Sequence, residues 1–157
     1  MRLPILFLSA FAALHAQKYA GPRPSKADLP YLLHASTLVA ADAGEATEEK
    51  RKDGTAFVVA GAAATARTPM AEPILIMESG KIVPERLQLY RMDVKGGHRE
   101  VFIPFKVRKE GAGHPLRLTV TKLAGNLFRI EAGETLEPGE YSLSPENSNQ
   151  VFCFQVY

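Results

Sequence analysis

Histidine, cysteine and carboxylate positions are where this sequence would do chemistry, and their spacing brings few of them together. Of the four histidines, His15 sits in the apolar N-terminal run, while His34, His98 and His114 are dispersed. No strand or helix face presents paired imidazoles, and a zinc site takes three or four converging N, S or O ligands. His98 and Glu100 alternate along one stretch and offer one imidazole and one carboxylate, short of a ligand set. His34 and Ser36 would share a strand face, but no carboxylate beside them supplies the third role of a triad. Neither Gly-x-Ser-x-Gly nor Ser-x-x-Lys occurs. Gly111 and Gly113 precede His114 and Pro115, so no helix N-terminus follows them to hold a phosphate. The carboxylates are scattered, and no glycosidase pair stands out. No catalytic residue, metal or cofactor is expected from these patterns.

Cys153 is the only cysteine, so no intrachain disulfide exists. It lies between Phe152 and Phe154 in a run that reads as a strand, where neighbours point to opposite faces. Phe152, Phe154 and Val156 are therefore expected on the core face. Val151 and Cys153 are expected to face the partner sheet's rim or a covering loop, with the thiol buried and inert. An intermolecular disulfide is the competing expectation.

The elements that position these residues read as strands. Residues 31–39 are the first candidate. A charged arm, Glu48 to Lys52, leads to Asp53-Gly54 and a β-branched run, a hairpin signal. Its charges suit an exposed edge strand or a fraying helix that protects an edge; a binding patch is the sharper alternative. Residues 61–71, rich in alanine, read as a loop crossing an edge, and 73–77 as a short buried strand. Gly96-Gly97 joins two further strands. Leu116, Leu118 and Val120 alternate with Arg117, Thr119 and Thr121, the clearest period-two pattern in the chain. A turn around Gly125 and Asn126 then returns Phe128 and Ile130 to the inward face. No segment sustains a helical period.

Residues 1–16 place Arg2 before an apolar run from Leu3 to Leu14 and end on Ala16, just ahead of Gln17 and Lys18. That is the layout of a secretory signal peptide cleaved after Ala16, leaving Gln17 as the new N-terminus. An uncleaved anchor helix is the alternative. Gln17 is not a lipidation site, and no later apolar run is long enough to span a bilayer. The expected organisation is a signal peptide over 1–16, an extended proline-bearing segment over 17–30 and one domain over 31–157. The net charge of +2 gives no electrostatic pull toward nucleic acid or anionic lipid. Export without disulfides suits a bacterial periplasmic or secreted protein.

Leu136-Glu-Pro-Gly-Glu-Tyr141-Ser-Leu143, followed by Val151 to Val156, resembles the tyrosine corner of immunoglobulin-like and fibronectin type III-like sandwiches. In those domains a tyrosine opening the penultimate strand bonds to backbone a few residues upstream, which implies a structural Tyr141. The chain has no tryptophan and no cysteine pair, so it departs from antibody-type domains. Residues 140–157 also resemble the terminal segment of exported bacterial β-sandwich proteins. The expected fold is all-β, an antiparallel Ig-like sandwich of about eight or nine strands. The expected role is an exported, non-catalytic binding or structural module. A small-ligand or carbohydrate-binding domain is the alternative, and a hydrolase with dispersed residues a third reading. Glu146, Asn147 and Asn149, in a turn-rich loop before the last strand, are the expected contact surface for an unidentified protein or envelope partner.

Overall fold

A computed structural model describes residues 18–106 and 113–157. The leader, with Ala16 and Gln17, lies outside the described residues. The fold is all-β, with thirteen strands among the described residues, more than the eight or nine expected because several long runs break into short pieces. One five-stranded sheet runs β10 (Leu118–Ala124), β11 (Leu127–Ala132), β7 (Ile74–Glu78), β1 (Tyr31–His34) and β2 (Thr37–Ala40). The second runs β3 (Asp42–Glu45), β13 (Gln150–Val156), β12 (Gly139–Pro145), β8 (Leu87–Lys95), β9 (His98–Pro104), β5 (Gly54–Ala60) and β4 (Thr47–Arg51). Neighbours along both paths are antiparallel; β6 (Arg67–Thr68) joins β13 in parallel. No helix among the described residues is long and apolar enough to cross a membrane.

The run 31–39 is two strands rather than one. Ala35 takes a positive φ of 53°, and His34 pairs with Thr37 across the turn. Ser36 therefore lies in a hairpin tip, off the strand face it would need to share with His34. The Asp53-Gly54 signal is also displaced by one residue. Arg51 pairs with Gly54, so Lys52 and Asp53 form the turn and Gly54 opens β5. Glycine is required there because a Cβ would lie 2.8 Å from Pro104 Cα and still closer to the Ile103 carbonyl. Gly96 and Gly97, both with positive φ, make the two-residue turn of the β8–β9 hairpin.

Residues 18–30 contain no strand, yet they are anchored. Asp28 accepts bonds from the backbone N–H groups of Gly80, Lys81 and Ile82 at 2.8–2.9 Å. Partial desolvation opposes ionisation of Asp28, but the Ile82, Lys81 and Gly80 N–H bonds outweigh it and hold the carboxyl below its ordinary range.

Two cores follow from strand alternation. Phe152, Phe154, Val156, Tyr141 and Leu143 face the five-stranded sheet and pack with Leu32, Leu75, Met77 and Ile130. Tyr141 stacks on Phe154 with centroids 5.7 Å apart, and its hydroxyl donates to the Glu137 carbonyl at 2.6 Å. The opposite face of the larger sheet carries a second cluster, including Val151, Cys153, Met92 and Val101. Val151 and Cys153 thus face an interior of their own, covered in part by the loop that carries Ala64, and not a rim of the partner sheet. Burial pushes the Cys153 thiol up to about 11.

Candidate functional site

The second cluster exists because the larger sheet curls into a half-barrel. Its two edges, β3 and β4, are consecutive in the chain and separated only by Ala46. A sheet whose opposite edges meet in one short segment must roll up on itself. Ala46 is buried in the concave side and its N–H donates to the Asn149 carbonyl at 2.8 Å.

Within this roll, β8 and β9 pair only from Asp93–Glu100 to the turn at Lys95–His98. Beyond that the hairpin splays. The freed edge of β8 is taken up at Leu89, whose carbonyl accepts the N–H of Leu116 at 2.7 Å. The splay leaves a cleft of about 440 Å³ on the concave face, within the usual size of small-molecule sites. One wall is apolar, with Phe57 across from Val101 and Ile103 two residues further along β9. The other carries Gln88, Tyr90, Ser142 and Ser144, set in adjacent rows by the β8–β12 register. The Tyr90 hydroxyl donates to Gln88 Oε1 at 3.0 Å, and burial raises its pKa.

Asn147 and Asn149 line the mouth of this cleft. Asn147 has a positive φ of 57°, the left-handed geometry asparagine tolerates, which turns the loop. Glu146 turns away: its N–H donates to the Arg86 carbonyl, and it borders a separate, shallower groove beside Leu116 and Leu118. The loop residues therefore divide between two surfaces. Sequence reading missed the strand residues of the cleft, since each is an ordinary apolar or small polar position until the sheet rolls.

The far end of the roll is closed by residues 61–66. Ala64 packs in the concave cluster while Ala66 reaches the main core. Glu140 Oε2 accepts the Ala64 N–H at 2.9 Å and lies 3.3 Å from Arg99 Nη1; Glu140 Oε1 has no partner. Arg99 also donates to the carbonyls of Gly61 and Ala60. This is a buried ion pair that clamps a plug.

His98 and Glu100 do meet, at 3.5 Å, on the convex face, but within an ion cluster. Arg51 makes a bidentate contact with Glu100 at 3.0 and 2.6 Å, and Lys95 donates to it at 2.7 Å. The Arg51 bonds, then that of Lys95, lower the Glu100 pKa from 4.5 to about 2. Glu100 thus stabilises the fold fully above pH 4.5, and the contribution is lost as pH falls toward 2. We expect the denaturation midpoint to drop across that window, and Glu100→Gln to drop less. Equal acid sensitivity in the two proteins would refute the assignment. No group of three or more His, Cys, Asp and Glu among the described residues is arranged to hold a metal. His34 Nε2 is buried without a partner.

Searches against protein-family models, curated proteins and solved structures find no match to this chain, so its own geometry carries the functional reading.

Proposed function

We propose that this chain is an exported, non-catalytic binding module that holds a small ligand with an apolar body in the concave cleft. The observation that carries this is the apolar wall of Phe57, Val101 and Ile103 lining about 440 Å³ of space inside the curled sheet. Apolar surface left around an open, concave volume favours a ligand that removes it from water. The facing row of small polar groups supplies orientation. Cleavage after Ala16 and export to the periplasm or medium rest on the leader's layout. The two sheets sharing one core, with Tyr141 bonded back to Glu137, support an Ig-like sandwich as the underlying architecture. A carbohydrate platform has less support: among the described residues the strongly exposed aromatics are Phe105 and Tyr157, and Arg67 covers the Tyr157 ring at 4.4 Å.

The test uses the uncharged dye N-phenyl-1-naphthylamine. We expect saturable, one-to-one fluorescence enhancement. Ile103→Trp, which fills the cleft from a half-buried position, should weaken binding at least tenfold without lowering the thermal midpoint. Non-saturable binding, or binding indifferent to Ile103→Trp, would remove the cleft as a ligand site.

A further inference from the structure

We propose that the cleft selects ligands by charge and takes an amphiphile bearing a cationic head, an alkyl- or arylammonium compound, with the ammonium against Glu48. This rests on the cleft being the binding site and names the class of molecule it accepts.

The basis is the electrostatics of the lining. Glu48, on β4, lies across from Phe57 in the β4–β5 register and borders the cleft. It is the one charged residue among the described lining residues; no Lys, Arg or His is among them. Lys50, the next residue on that face of β4, pairs with Thr55 and is not part of the lining. Three cations of the neighbouring strands are engaged elsewhere. Arg51 and Lys95 hold Glu100 on the convex face, and Arg99 is held by Glu140 and the 60–61 carbonyls behind the plug.

A carboxylate or phosphate head entering this cleft would lose hydration and meet a like charge, with no cation among the described lining residues to receive it. A neutral head would find hydrogen-bonding groups at Gln88, Ser142 and Ser144. An ammonium gains those same acceptors together with attraction to Glu48. Glu48 is solvent-exposed, so the preference is set at the mouth, where a head group rests while the alkyl or aryl body lies along Phe57, Val101 and Ile103.

Three eight-carbon probes separate the possibilities by titration calorimetry on the full mature chain at low salt: octylammonium, octanol and octanoate. Octylammonium should bind at least tenfold more tightly than octanoate, with octanol between them. Glu48→Gln should bring octylammonium down to the octanol value. Glu49→Gln, on the opposite face of the same strand, should leave the order intact. Octanoate binding as tightly as octylammonium, or an ammonium preference that survives Glu48→Gln, would overturn the charge selection while leaving the cleft as a site. Failure of all three probes to bind would overturn the cleft reading itself and this selection with it.

Discussion

Phe154→Ala is expected to lower the unfolding free energy by about 3–5 kcal/mol, the range for removing a large buried aromatic. Phe154 is fully buried, stacks on Tyr141 and sits in the strand between β12 and β3, so its removal opens a cavity in the main core. Tyr141→Phe provides the comparison. It keeps the ring and the stacking, removes only the bond to the Glu137 carbonyl, and should cost on the order of 1 kcal/mol. Urea unfolding of the three proteins, with the slope held in common, measures both. A Phe154→Ala midpoint close to that of Tyr141→Phe would mean that the joint between the two sheets is not where their packing energy lies.

Glu140→Ala is expected to be comparably damaging, about 3–5 kcal/mol, for a different reason. It leaves the Arg99 guanidinium, 5% exposed, without its counter-charge, and it unties the Ala64 N–H from the plug. Burying an uncompensated charge costs more than the pair itself contributes, because both partners lost their hydration when the sheet rolled. Combining Arg99→Met with Glu140→Met should therefore cost at least 1 kcal/mol less than the sum of the single changes. Strict additivity in that cycle would show the two side chains to be independent. Hydrogen exchange should report faster opening of residues 61–66 in Glu140→Ala than in the native chain.

Local chemistry is what the sequence by itself determined. Gly96-Gly97 specifies a two-residue turn because both positions take positive φ, and β8 and β9 flank it as the pattern requires. The alternation of Leu118 and Val120 with Thr119 and Thr121 places the aliphatic residues against the main core. The same rule separates Phe152, Phe154 and Val156 from Val151 and Cys153. These features depend on neighbours in the chain, and a period of two is enough to assign faces.

Tertiary structure decided the rest. Period two shows that Val151 and Cys153 face away from the phenylalanines, but not that they face a second interior. That depends on β3 and β4 closing the roll through Ala46, which bonds to Asn149 just before the last strand, while β3 pairs with that strand. The cleft needs β8 to be unpaired from β9 before Asp93, while Leu116 occupies the vacated edge at Leu89. Glu48 reads as one charge in an exposed arm until the β4–β5 register sets it beside Phe57. Glu140 and Arg99 find each other from strands that are not adjacent in sequence, and only burial makes their pairing consequential. Strand faces follow from local stereochemistry, but the curvature of a sheet is set by how all its strands twist and close together. The cleft is a product of that curvature.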